Sequence, residues 1–188
     1  VVDNSRNSTV LKRMINKGEI LGPRIIPCDR GLAASGGAGF IPNSSDEIIQ
    51  RNHPWAITCD GEDQLTKAIR ILRNNGSEFI KIWVSGAGMH DHDEETDIQY
   101  TQGEINAVVN EAHRHGLKVQ AHCTCALAAS MAIIAGVDCI IHGENLDAVS
   151  KEHFLNSDVV WLPTLNLMQV FGNSEVLESN ESESSAAH

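Results

Sequence analysis

Three side chains of this sequence have the types and spacing to act together: Lys81, His122 and His142. His122 and His142 each close an apolar run, in LKVQAH and VDCIIH, so both imidazoles are expected to project from strand ends. Neutral imidazole binds Zn²⁺ at about 2.0 to 2.1 Å, and two strand-end histidines on adjacent parallel strands can reach one ion without backbone distortion. Taken singly, either is also readable as a hydrogen-bonded core or rim histidine. Lys81 stands inside FIKIWV, a run apolar enough to be buried on both faces. An ammonium there must be paired, neutralised by a lowered pKa or chemically modified, unless it snorkels to water at the strand end.

The elements that must position these groups follow from periodicity. Apolar runs of about five residues alternate with amphipathic helices that end near glycine. Strands are expected at Arg24 to Cys28, Phe79 to Val84, Leu117 to His122, Val137 to Ile141 and Val159 to Leu162. Helices are expected from an Asp60 cap to Gly76, from the Thr101/Glu104 capping box to Gly116, from Ala126 to Ala135, and from Ala148 to Leu155. Strand and helix in alternation predict a parallel sheet with right-handed crossovers, so the class is α/β, doubly wound or a (β/α)₈ barrel. No G-x-G-x-x-G or P-loop pattern occurs, whereas Lys81, His122 and His142 sit in or at the ends of three successive strands. In a barrel such positions converge on one mouth.

Composition bounds the rest. The chain has 188 residues, 14 Lys plus Arg against 25 Asp plus Glu, and a formal charge of −11, which repels phosphate backbones and anionic headgroups. Nucleic acid and membrane surfaces are therefore not expected partners, and no apolar run reaches bilayer length. Five cysteines, an odd number without a dense framework, point to a reducing, cytoplasmic setting. Residues 1–172 are expected to form one structural unit, and 173–188, rich in Ser, Glu and Asn, a flexible polar tail.

Three segments carry a family resemblance: GPRIIPCDRGLAASGGAGF, DGEDQLTKAIRILRNNGSEFIKIWVSGAG and VQAHCTCALAASMAIIAGVDCIIHGENLD. Together they resemble the imidazolonepropionase-like and Xaa-Pro-dipeptidase-like branch of the metal-dependent amidohydrolase superfamily. That resemblance implies a (β/α)₈ TIM barrel, here incomplete, with about strands 2 to 7 present. It implies one or two divalent metals, usually zinc, that activate water for hydrolysis of an amide bond in a small substrate, a dipeptide or an N-acyl amino acid. It implies that Lys81 is carboxylated by CO₂ to a metal-bridging carbamate, with His122 and His142 as further metal ligands. A homo-oligomer is compatible with it.

The departures are equally specific. The family's first-strand H-x-H and eighth-strand Asp have no counterpart, and His90-Asp91-His92 imitates the former only within a polar loop. Relatives often carry histidine at the positions of Thr124 and Ala38. A rival from another class is therefore a non-catalytic fragment or pseudoenzyme. Tyr100, in the loop before the Thr101 cap, is the candidate substrate contact, with an ordinary loop aromatic as its alternative. Cys123 and Cys125 read as buried small residues, His113 and His115 as partners of a helix carboxyl end, and His53 and His153 as surface residues. No serine lies in a nucleophile-elbow pattern.

Overall fold

In a computed structural model, residues 2, 3, 5, 7–40, 53–88 and 91–165 are described. The expected polar tail, Met89 and His90 lie outside them. The strands are β1 (Val2–Asp3), β2 (Ile26–Pro27), β3 (Gly31–Ala33), β4 (Ala56–Thr58), β5 (Phe79–Trp83), β6 (Lys118–Cys123), β7 (Cys139–His142) and β8 (Val160–Leu162). The helices are α1 (Ser8–Asn16), α2 (Gly61–Asn75), α3 (Gln102–Arg114), α4 (Ala126–Ala135) and α5 (Ala148–Leu155). The named strands pair in parallel, in a six-stranded sheet of order β4-β3-β5-β6-β7-β8 and a two-stranded sheet β1-β2. The architecture is α/β, an incomplete barrel, as the alternation of periods predicts. Among the described residues no helix is long and apolar enough to cross a membrane.

At the amino-terminal end one expectation needs correction and one strand went unforeseen. The strand expected at Arg24 to Cys28 is cut to β2, which pairs with β1, and a separate short strand, β3, follows it into the six-stranded sheet beside β5, with Leu32 in register with Ile82. Asp29, at φ 65°, takes the left-handed conformation and breaks the strand between them. The short β4 escaped the periodicity because three residues are too few to display it.

Alternation along β5 divides its side chains. Ile80 and Ile82 join Leu65, Ile69, Ile105 and Val108 of α2 and α3 in the main core, all fully buried. Lys81 and Trp83 consequently face the other way, into the barrel interior. Room for the Trp83 indole comes from small residues across the sheet: Ala33, Ala38 and Ala56 pack with it. A Cβ built on Gly31 would lie 2.3 Å from the Trp83 ring, so that position admits only glycine unless the indole moves.

The helices end as their sequences specify. Gly76 and Gly136, at φ 100° and 87°, close α2 and α4 in the left-handed conformation that side chains disfavour. The capping box of α3 is complete: Thr101 Oγ1 accepts the Glu104 amide and Glu104 Oε2 accepts the Thr101 amide. Glu104 Oε1 also accepts the Gly61 amide at 2.8 Å, so one carboxylate ties down the amino ends of two helices. Asp60 stands at the N-cap of α2 but makes no side-chain cap bond. Its carboxylate instead accepts the Ser35 amide at 2.9 Å and hydroxyl at 2.6 Å, joining the loop after β3 to the start of α2.

On the outer layer Glu111, 7% exposed, receives Arg114 from its own helix, Arg70 from α2 and His115. Hydrogen bonds from Arg114 and then Arg70 hold its carboxyl down at about 2. A depressed folded-state pKa contributes stability that is complete above the ordinary value of 4.5 and is lost as pH falls from there toward about 2. Glu111→Gln should lower the unfolding midpoint at neutral pH and flatten its decline through that acid window, as thermal melts against pH will show.

Candidate metal centre

Lys81, His122 and His142 lie on β5, β6 and β7, three strands adjacent in the sheet. Lys81 is level with Gln120, and Trp83 with His122, so the lysine sits one layer below the first imidazole on the same interior face. Its side chain is buried at 7% exposure, and among the described residues no carboxylate acts on its charge. Its Nζ lies 5.3 Å from the Trp83 ring centroid, a cation–π contact. Burial, the dominant cause, brings the Lys81 pKa down to about 8.

The same burial, with the Lys81 charge as second cause, brings His122 down to about 3 and His142 down to about 4. Both imidazoles are neutral at physiological pH, the state in which a ring nitrogen offers a lone pair to a metal. Their centroids are 4.7 Å apart with the rings at 74°, edge to face.

Hydrogen bonds decide which nitrogens are offered. His122 Nε2 is 2.9 Å from the Gly86 carbonyl oxygen. A carbonyl only accepts, so Nε2 carries the proton and Nδ1 keeps the lone pair. His142 Nδ1 is 2.7 Å from Thr164 Oγ1, which leaves Nε2 as its outward nitrogen. Outer hydrogen bonds of this kind hold metal-ligating histidines in one tautomer and orientation.

Strict alternation would aim His142 at the helical layer, because its register neighbour Cys123 and the preceding Ile140 belong to that core. The backbone overrides it. His142 has φ 70°, a left-handed conformation costing about 1 to 2 kcal/mol for an L-residue, and this turns the ring back toward His122. The strained turn is held by the Gly143 amide, which donates to the carbonyls of Cys123 at 2.9 Å and Ile141 at 3.1 Å. Trp161 Nε1 donates to the His142 carbonyl at 2.7 Å. Such strain concentrates at functional sites, where surrounding structure fixes the conformation.

Other sequence candidates fall elsewhere. Tyr100 is not with the trio. It is 2% exposed in the main core, and its hydroxyl donates to the Cys59 carbonyl at 3.0 Å, so the expected substrate contact is corrected to a core aromatic whose polar tip satisfies a buried carbonyl. His53, expected at the surface, is 4% exposed and edge-on to Trp55, and His153 is half-buried. His92 is exposed, and His90 lies outside the described residues. Cys123 and Cys125 are buried and free, as expected. Ala38 and Thr124 are buried too, so neither position brings a titrating group to the site. Sequence reasoning passed over Trp83, Ser85 and Gly86; the S-G-A-G that closes the β5 run is the only signal that marked a tight approach there.

Among the described residues no three His, Cys, Asp or Glu side chains gather as a metal cluster. The donors that could fit a metal are of a different combination: His122 with its lone pair on Nδ1, His142 with Nε2 free of its threonine partner, and the buried Lys81 amine beside them.

The Amidohydrolase family matches residues 3–177. The chain belongs to the amidohydrolase family. The ochratoxinase of Aspergillus niger is 25% identical to this amidohydrolase over 171 residues, 85% of this chain and 36% of that protein. Its crystal structure shares the fold, with a TM-score of 0.83 at 23% identity over 90% of this chain and 42% of that one. A prolidase solved with N-methylphosphonate-L-proline is 29% identical, TM-score 0.80, over 88% of this chain and 42% of that one. A Xaa-Pro dipeptidase with methionine in its active site is 28% identical, TM-score 0.77, over 88% of this chain and 41% of that one. The chain thus spans well under half the length of the relatives it matches.

Tyr100→Phe separates a core role from a substrate role. It should cost about 1 kcal/mol of stability in urea denaturation by removing one hydrogen bond. KM of the intact enzyme should stay unchanged; a raised KM with unchanged stability would return Tyr100 to the substrate.

Proposed function

We propose that this amidohydrolase chain supplies Lys81, His122 and His142 as metal ligands to a hydrolase of amide bonds, acting on a dipeptide or an N-acyl amino acid. One observation carries the reading: the three residues converge on one face of three adjacent strands, with both imidazoles neutral and each pinned through one nitrogen. Family membership adds that divalent metals are general in this family. The prolidase and Xaa-Pro dipeptidase likenesses favour a substrate with a carboxyl-terminal proline.

The chain's own residues have separable roles. Lys81, as the free amine, adds CO₂: a nitrogen–carbon bond forms, one amine proton leaves to solvent, and the product is an anionic carbamate. This replaces an unpaired buried cation with a two-oxygen donor, which removes the burial cost of the ammonium. His122 would donate through Nδ1 and His142 through Nε2, the nitrogens left open by their hydrogen bonds. Zinc fits nitrogen and carboxylate-type oxygen donors. When bound, a divalent metal supplies Lewis-acid polarisation of the scissile carbonyl and lowers the pKa of a water. Trp83, buried over Lys81, keeps bulk water off the lysine side of the site.

The test is metal analysis of the intact protein, with hydrolysis of Xaa-Pro dipeptides and N-acyl amino acids followed in the presence of zinc and bicarbonate. Chelation should abolish hydrolysis, and zinc with bicarbonate should restore it. Lys81→Ala, His122→Ala and His142→Ala should each lose bound metal and activity. Wild-type metal content and turnover in any of the three would overturn the reading.

A further inference from the structure

We infer that Ser85 and Thr124 form a positioning pair that sets which nitrogen of His122 faces the metal position, acting through the Gly86 carbonyl. The word metal rests on the function proposed above; the hydrogen-bond relay does not.

Ser85 ends the β5 run, is fully buried, and bridges to Ile98 across the loop that follows. Thr124 ends the β6 run two residues beyond His122 and is 4% exposed. Their hydroxyl oxygens are 2.6 Å apart, and the Thr124 amide donates to Ser85 Oγ at 2.9 Å. Thr124 Oγ1 also lies 2.9 Å from the Gly86 carbonyl and 2.5 Å from the Glu95 carbonyl. Carbonyls only accept, so the single Thr124 proton is committed to them and Ser85 is the donor within the pair. Each hydroxyl then donates its proton to a protein acceptor and accepts one hydrogen bond from a protein donor.

The Gly86 carbonyl is the acceptor for His122 Nε2 and lies within reach of both hydroxyls, that of Thr124, whose one proton it shares with the Glu95 carbonyl, and that of Ser85 at 3.2 Å. Its peptide is also braced by its surroundings. The Gly86 amide donates to the Asp97 carbonyl at 3.0 Å, and a Cβ at Gly86 would lie 1.9 Å from the Glu94 carbonyl oxygen. Asp93, 3% exposed, adds a brace by accepting the Ala87 amide at 3.1 Å and Gln99 Nε2 at 3.2 Å. A fixed acceptor opposite Nε2 penalises the other tautomer, whose Nε2 lone pair would face the carbonyl lone pairs. Removing the Thr124 hydroxyl takes one donor from that carbonyl and unlatches the loop at Glu95, which weakens the preference for the proton on His122 Nε2.

The experiment reads the ring nitrogens directly. In ¹⁵N-labelled, metal-free intact protein, the His122 imidazole signals, assigned by their loss in His122→Gln, should show the Nε2–H tautomer. Thr124→Val, which keeps the side-chain shape without the hydroxyl, should show a mixture of tautomers. Its zinc affinity in a chelator competition should fall about tenfold, the lower end of the loss seen for residues behind metal ligands. Thr124→Ser should restore both readouts. If Thr124→Val fails to fold, Ser85→Ala takes its place, with a shift in the same direction expected. A folded Thr124→Val or Ser85→Ala protein that keeps pure Nε2–H and wild-type zinc affinity overturns the inference. Unchanged zinc affinity in His122→Ala would overturn the metal reading instead, while a tautomer shift in Thr124→Val would still support the relay.

Discussion

A lysine buried inside a parallel strand, with no carboxylate partner among the described residues, is the constraint around which the rest of this structure is arranged. A strand covered on both faces gives an ammonium neither water nor room, so its neighbours must tolerate the charge or remove it. The Trp83 indole lies over it as a cation–π partner, and Gly31, Ala33 and Ala56 stay small to admit that ring. The two histidines beyond it are kept neutral by the burial that also lowers the lysine pKa, with the lysine charge adding to the effect. One physical condition, burial beside the Lys81 charge, therefore lowers the pKa of the amine and of both imidazoles.

Orientation comes from a second source, the loops at the carboxyl ends of the strands. After β5, residues 84–86 are tied to residues 97–99 by the Gly86–Asp97 and Gln99–Val84 backbone bonds, just before Tyr100. This arrangement presents a carbonyl to His122 while burying the Tyr100 ring in the core. The turn after β7 is more forceful, spending a left-handed non-glycine conformation at His142 to reverse the direction that alternation would give its ring. Regular strands deliver side chains at fixed intervals; bringing two imidazoles within 4.7 Å needed a departure from that regularity.

The helical layer holds these loops in place without touching the site. Glu104 links the amino ends of α2 and α3, and Asp60 anchors the loop after β3, so helix capping and loop anchoring share carboxylates. Glu111 and its arginines close the same pair of helices on the outer face. This division, a packed scaffold below and polar loops above, is the arrangement in which barrels carry chemistry at their carboxyl-end mouth.

The sequence by itself determined the class of fold, the bounds of the longer helices and strands to within a residue or two, and the placing of Lys81, His122 and His142 on three successive strands. Periods of 2 and 3.6, a capping box and closing glycines are local, so Thr101–Glu104, Ala126–Ala135 and Ala148–Leu155 were readable without any long-range contact. A lysine in FIKIWV and histidines after apolar runs are compositional anomalies, and anomalies in buried strands are visible in one dimension. Only the tertiary structure decided which nitrogen each histidine offers, that His142 bends back, that Tyr100 and His53 are core residues, and that Asp60 anchors a loop instead of capping its helix. Each of these depends on a partner far along the chain: Gly86 for His122, Thr164 for His142, Cys59 for Tyr100, Ser35 for Asp60. The short β4 and the β2–β3 break were hidden for a related reason, since two or three residues paired to a distant strand leave no periodic trace of their own.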